Sequence, residues 1–233
     1  MLNVGAAPTF ALFERVADTL IGAALAWAFC YVLPSWERSQ IPSLVARTLK
    51  AQARHARLAL GLGQLHAVDT SPELEWRLAR KEAFDSLSAL VQATQRSLSE
   101  PRAVRPPIAP LEHLQAHSYQ LLAQLSAVKS MLVLRRDRLT SADIEGPLER
   151  TAARIEAAIG SAPIAGTEMP ASPPATTLAG PIPLPDPFDN DISPWLLRRL
   201  DLATAISSQL RDDAARILQS LDDSSSIPLE RTP

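Results

Sequence analysis

The sequence is poor in the residues on which several classes of protein depend. A single cysteine, Cys30, occurs among 233 residues, which excludes an internal disulfide framework and a cysteine-rich zinc site. Eight glycines are few for the glycine-rich loops of nucleotide-binding folds, and an aromatic content of 5% makes a β-rich fold a poor fit. The net charge of -2 argues against nucleic acid as a partner, because a nucleic-acid-binding face shows as a basic excess.

One long apolar run stands out against this background. Residues 16–33 read VADTLIGAALAWAFCYVL and contain one charged side chain, Asp18. An α-helix of this length extends about 27 Å, close to the bilayer hydrocarbon thickness of about 30 Å, and Pro34 ends it. We therefore predict a transmembrane helix over residues 14–34. A buried helix of a soluble protein is the alternative.

The residues on either side of this run predict its orientation. Four arginines and a lysine follow the run between Pro34 and residue 57, against Glu37 alone, whereas only Arg15 precedes it. The positive-inside rule then places everything after the run in the cytoplasm. Aromatic and basic side chains are enriched at membrane interfaces, so the predicted interface residues are Tyr31, Trp36 and Arg38.

Four residues at the start of the run form a candidate site: Arg15, Asp18, Thr19 and Gly22. Arg15 and Asp18 are three residues apart, so they share a helix face and can form an ion pair. Gly22 lies one turn further on and leaves room for a neighbouring helix. An ionisable residue inside a span indicates a functional or packing role. The alternative is that both charges only mark the end of the helix at the interface.

The remainder of the chain is predicted to be helical, because apolar residues recur at spacings of three or four and no alternating strand pattern is found. This makes the fold all-α, with one transmembrane helix followed by a cytoplasmic antiparallel helical bundle. The predicted helices of the bundle span residues 41–66, 71–99, 111–138 and 141–159.

The domain organisation follows from changes in composition along the chain. Residues 163–193 are rich in Pro, Ala, Thr and Ser and predict a disordered or extended linker. An amphipathic helix that follows the linker either folds back onto the bundle or docks on a partner. The predicted segments are an N-terminal stub (1–13), the span (14–34), the cytoplasmic helical domain (35–162), the linker (163–193), the C-terminal helix (194–222) and a disordered tail (223–233).

Residues that could carry chemistry are few and poorly arranged for it. His113 and His117 have the four-residue spacing of zinc sites, but Leu-Gln-Ala separates them and further ligands are lacking. We therefore interpret them as surface or interhelical histidines and predict no metal site. The sequence around Gly61 and Gly63 lacks the strand and the lysine of a phosphate loop. These observations predict neither catalytic residues nor a cofactor, and the protein is not expected to be an enzyme.

Several stretches resemble the fusaric acid resistance family of bacterial inner-membrane proteins, which are aromatic-acid exporter-like transporters. ERVADTLIGAALA and the PSWER after it resemble the end of the family's last membrane helix, and the string Arg-x-x-Asp-Thr-Leu-Ile-Gly is its most specific part. RKEAFDSLSAL with Ser99-Glu100-Pro101 is similar to a long cytoplasmic hairpin, and HLQAHSYQLLAQLSAV to the helix after it. These segments are residues 14–26, 34–38, 80–90, 99–101 and 113–128, within a resemblance covering roughly residues 13–154.

The resemblance implies export of small aromatic or other weak acids across the bacterial inner membrane, often beside a periplasmic adaptor. Family members have several spans, whereas one is predicted here. We therefore expect the C-terminal portion of such a transporter, with membrane lipid as one partner and the remaining spans on another chain or missing from this one. The four candidate residues of the run carry over as packing or pathway residues. A homo-oligomer, and a single-span anchored interaction module without transport activity, are left open.

Overall fold

Every regular element that the computed structural model describes is a helix, which confirms the predicted all-α class. The structure describes residues 8–32, 36–61, 71–102, 104–160 and 190–225, and within these ranges it contains six α-helices and no strand. The chain divides into two units, Met1–Trp36 and Glu37–Pro233. Most of the predicted linker and of the predicted tail lies outside the described residues.

The first unit consists of helix α1, Pro8–Val32. This helix begins six residues before the predicted span, at a proline, whose fixed φ suits the first turn of a helix. The side chains between Phe13 and Phe29 are exposed, except for the half-buried Ala17. None of the described helices is both long enough and apolar enough to cross a membrane.

The second unit is a bundle of five helices with one 3-10 turn. Helix α2 packs against α3, α4 and α5, and α6 packs against α4 and α5. The helix α4 ends four residues before its predicted end, because the residues after it tighten into the 3-10 turn. The elements are α2 (Glu37–Leu60), α3 (Ser71–Ser97), α4 (Ile108–Leu134), the 3-10 turn (Arg136–Arg138), α5 (Ser141–Ile159) and α6 (Ser193–Ser225).

Two apolar clusters form the core of the bundle. The larger one joins all five helices of the bundle around side chains that are wholly buried, such as Val45, Leu121 and Leu148. The smaller one lies between α2, α3 and α4 and contains Leu87 and Leu122. Because the buried positions recur at spacings of three or four, each helix contributes one face to the core, as the sequence predicts.

Helix α6 folds back onto the bundle, which decides between the two alternatives left by the sequence. Its apolar face is buried against α4 and α5 over the whole length of the helix. The helix continues to Ser225, past the predicted end at 222, since no proline interrupts its backbone hydrogen bonds before Pro228. The buried residues are Leu196, Leu200, Ala203, Ile206, Leu210, Ala214, Ile217 and Leu221.

The start of α6 is fixed on the connection between α4 and α5. The Ile192 N–H donates to the Arg138 carbonyl at 3.0 Å, and the Thr140 N–H donates to Ser193 Oγ at 3.1 Å. Hydrogen bonds from the Ser193 side chain and N–H lower the pKa of Asp191. These bonds hold the first turn of α6 in place at the end of the long segment between α5 and α6.

The packing of α6 predicts a difference between its two faces. Leu210→Ala removes a wholly buried side chain and should lower the free energy of unfolding by roughly 2–5 kcal/mol. Leu202→Ala on the same helix, at a position that is 40% exposed, should cost less than about 1 kcal/mol. Urea unfolding of the detergent-solubilised chain, followed by circular dichroism, measures both. Equal losses for the two variants would contradict the packing of α6 on the bundle.

Candidate functional site

The four candidate residues near the start of the apolar run lie exposed on α1. The Thr19 hydroxyl donates to the Arg15 carbonyl at 2.7 Å. No ion pair joins Arg15 to Asp18 among the pairs formed by described residues. A Cβ atom placed on Gly22 would meet no other atom within 4 Å. This side of α1 is therefore exposed. It carries two charged side chains, the hydroxyl of Thr19 and the glycine at position 22.

Side chains from α3 and the turn after it hold the first residue of α2. The Glu37 N–H donates to Glu100 Oε1 at 2.8 Å. Arg96 donates through Nε and Nη2 to the two carboxylate oxygens of Glu37, at 2.5 and 3.1 Å. The Glu37 residue is 8% exposed, and its hydrogen bond with Arg96 raises the pKa of that guanidinium. Bidentate pairing of this kind fixes both the distance and the orientation of its partners.

Two further arginines extend these contacts to other parts of the bundle. Arg38 Nη2 donates to the Leu221 carbonyl near the end of α6, at 2.7 Å. Arg105 Nη2 donates to the carbonyls of Leu98 and Glu100, at 2.6 and 2.8 Å. The start of α2, the end of α3 and the end of α6 thus meet at one place. We call the set Glu37, Arg38, Arg96, Glu100 and Arg105 the junction network.

The junction network explains why the predicted start of α2 at residue 41 is wrong. The prediction used Pro42 as a first-turn residue, whereas the structure has it inside the helix. Proline lacks the N–H that would bond to the Arg38 carbonyl, which weakens the helix there. The Glu100 carboxylate compensates by accepting an N–H that the helix start leaves without a partner. The helix also ends at Leu60, before its predicted end at 66, and residues 62–70 lie outside the described ranges.

The three predicted membrane-interface residues differ in their burial and contacts. Trp36 is half-buried, and the side chain of Tyr31 lies outside the described part of the structure. Arg38 belongs to the junction network, so its guanidinium is engaged within the bundle. The network itself was not predicted, because its members come from distant parts of the sequence. The only signal was that Glu37 and Glu100 both fall in segments quoted for the family resemblance.

A second polar group of residues lies near the other end of α2. Gln52 and His55 of α2 are wholly buried, and the centroid of the His55 ring is 6.2 Å from that of Trp76 on α3. The Arg80 guanidinium and the Lys129 ammonium each lie 5.6 Å from the centroid of the Trp76 ring. We call these five residues the His55 cluster. Helical spacing alone gave no sign of it, because its members come from α2, α3 and α4.

Burial dominates the electrostatics of the His55 cluster. Desolvation, with the positive charge of Arg80 as a second cause, lowers the pKa of His55 to about 4. The imidazole is therefore neutral at pH 7. Burial also lowers the pKa of Lys129, against the attraction of Glu73. Both shifts follow the rule that a low-dielectric environment disfavours the charged form of a group.

The two histidines with four-residue spacing do not act together. His117 Nδ1 lies 2.7 Å from Asp213 Oδ2, and the wholly buried Asp213 also pairs with Arg216. His117 is therefore an interhelical histidine that links α4 to α6, while His113 is exposed. Among the described residues, no group of three or more side chains is placed to hold a metal ion.

Comparison with known proteins gives two relatives. The chain is 29% identical over 153 residues to "Inner membrane protein YccS" of Escherichia coli. The aligned region covers 64% of this chain and 20% of that protein. The chain is 30% identical over 130 residues to an uncharacterized protein of Haemophilus influenzae, covering 55% of this chain and 17% of that one. The similarity to this inner-membrane protein of Escherichia coli supports the predicted resemblance to the fusaric acid resistance family.

The chain spans about a fifth of the length of the curated relatives it matches. No family model matches it, and no solved structure does.

The capping role of Glu100 predicts the effect of removing its carboxylate. Glu100→Ala should lower the free energy of unfolding by about 1 kcal/mol, since the loss of a helix cap costs this much. Glu100→Gln keeps an acceptor oxygen and should retain most of the stability. The exposed Glu112 on α4 supplies the control substitution Glu112→Ala, which should have little effect. Urea unfolding that ranks Glu100→Ala with Glu112→Ala would refute the cap.

The buried His55 predicts a specific loss of stability in acid. The unfolded chain binds a proton at His55 below its ordinary pKa of 6.5, whereas the folded chain does so only near pH 4. Above pH 6.5, His55 therefore does not reduce the free energy of unfolding. As the pH falls to about 4, it lowers the free energy of unfolding progressively, by roughly 3 kcal/mol. His55→Leu should remove this part of the pH dependence, and His113→Gln should not. Identical pH profiles of the free energy of unfolding for wild type and His55→Leu would disprove the role of His55 in this loss of stability.

Proposed function

We propose that this chain is the C-terminal part of an inner-membrane transporter of the fusaric acid resistance type. Its similarity to an inner membrane protein of Escherichia coli carries the proposal. In it, α1 belongs to the last membrane span, and the helical bundle lies on the cytoplasmic side. The whole transporter exports small aromatic or weak-acid compounds.

The distribution of apolar and basic residues supports the membrane part of the proposal. The run over residues 16–33 contains one charge, and the basic residues that follow it favour a cytoplasmic bundle. The side chains that the structure describes on α1 are exposed almost throughout, as a surface that contacts lipid or other spans requires. Because Arg38 is bonded to the Leu221 carbonyl, we assign the interface role to Tyr31 and Trp36.

The open side of α1 supports a role for the four candidate residues in contacts with other spans. One helix cannot enclose a substrate path, so the remaining spans must come from another chain or from a longer form of this one. Asp18 then supplies a charge at the surface where the spans meet, and Gly22 permits close approach. A periplasmic adaptor and a second copy of the chain are further candidate partners.

The alternative of a single-span anchored interaction module has weaker support. It depends on a terminal helix whose apolar face is available to a partner. That face is buried in the bundle, with Leu200 and Leu210 in its core. The bundle therefore uses α6 for its own folding, and the transporter part is the better proposal.

Extraction with alkaline carbonate tests the membrane span directly. The chain expressed from Met1 in bacteria should stay in the membrane pellet. Leu25→Arg should reduce retention, because an arginine within a span costs roughly 2.5–3.5 kcal/mol on insertion. Leu202→Arg at an exposed position of α6 is the matched control and should leave retention unchanged. Release of the unmodified chain into the supernatant would rule out the span.

A second experiment tests Asp18 when the missing spans are supplied on a second chain. Asp18→Ala should reduce co-purification of the two chains and export of the compound, because it removes the charge at the surface between spans. Glu14→Ala, one turn earlier and also exposed, is the control. Wild-type assembly and export in the Asp18→Ala chain would remove the functional role of Asp18.

A further inference from the structure

The buried part of the His55 cluster, which we call its base, contains polar side-chain atoms that lack a hydrogen-bond partner. Both amide atoms of Gln52 and both ring nitrogens of His55 lack a hydrogen-bond partner, as does Trp76 Nε1. Gln52 and His55 are wholly buried. Since nearly all buried polar groups in folded proteins are hydrogen-bonded, three such side chains on neighbouring helices form an unusual concentration of donors and acceptors.

The rim of the same cluster reaches solvent through Arg80. Trp76 is half-buried and Arg80 is exposed, so the cluster opens toward the surface on the side of α3. Arg80 and Lys129 each lie 5.6 Å from the centroid of the Trp76 ring. Arg80 therefore places a positive charge on the solvent side of the cluster.

We propose that the His55 cluster is a binding site for a small oxyanion, carried by a carboxylate or a phosphate group. The Trp76 indole N–H, the Gln52 amide N–H and one imidazole N–H of His55 donate to its oxygens. Arg80 supplies a compensating charge at the entrance. Hydrogen bonds from such donors to an ionised acceptor are stronger than those between neutral groups. This site lies within the bundle and does not depend on the proposed membrane function.

Thermal unfolding of the detergent-solubilised full chain tests the site. Millimolar phosphate or acetate, each compared with chloride at the same ionic strength, should raise the unfolding midpoint by a few degrees, since a ligand of the folded state stabilises it. A rise with phosphate alone identifies a phosphate site, and a rise with acetate as well identifies a carboxylate site. No rise with either anion would overturn the proposal.

Two sets of variants show whether the anion acts at the His55 cluster. Gln52→Leu combined with His55→Leu should keep or raise the midpoint in chloride, because it replaces unbonded polar groups with apolar ones of similar size. The same variant should lose the rise caused by the anion. An undiminished rise in this variant would place the anion elsewhere and overturn the site.

Arg80→Gln tests the rim without disturbing the buried base. Loss of one charge-assisted hydrogen bond should weaken the anion affinity about tenfold, measured by calorimetric titration with the better of the two anions. Arg154→Gln removes an exposed arginine from α5 and should leave the affinity unchanged. Equal effects of the two substitutions would indicate a general charge effect and would contradict a site at Arg80.

Discussion

The first turn of α2 depends on two side chains, Arg96 and Glu100, that follow Glu37 by 59 and 63 positions in the sequence. Arg96 binds both oxygens of the Glu37 carboxylate, and Glu100 accepts the Glu37 N–H. These contacts decide that the bundle begins directly after Trp36, although Pro42 weakens the helix a few residues later. Through Arg38, the same turn is bonded to the end of α6. The start of the bundle is therefore bonded to its last helix.

Most of the helical architecture could be predicted, because a helix that buries one face shows this in the spacing of its apolar residues. The bounds of α5, Ser141–Ile159, agree with the prediction. The start of α2 could not be predicted in the same way, since its cap comes from a residue 63 positions away. Periodicity shows which face of a helix is apolar, but not which polar side chain will satisfy the end of the helix.

The candidate sites also show that the spacing of residues along one helix does not reveal polar contacts between helices. Asp18 is conspicuous in the sequence because it is the one charge in an apolar run. The His55 cluster has no such signal, since a single histidine on a helix does not reveal that Trp76 lies beside it, or that Lys129 lies near the Trp76 ring. His117 was interpreted as a surface or interhelical residue, and its buried partner Asp213 is 96 positions away. Groups that interact across helices become visible only when the packing is known.

We propose that the bundle lies on the cytoplasmic side of a membrane that α1 enters. Cysteine accessibility tests it most directly, with Cys30→Ala combined with Ser88→Cys, a substitution at an exposed position of α3. A membrane-impermeant maleimide should label this chain only after the inner membrane of spheroplasts has been opened. Labelling of intact spheroplasts to the same extent would put the bundle on the other side and contradict the account.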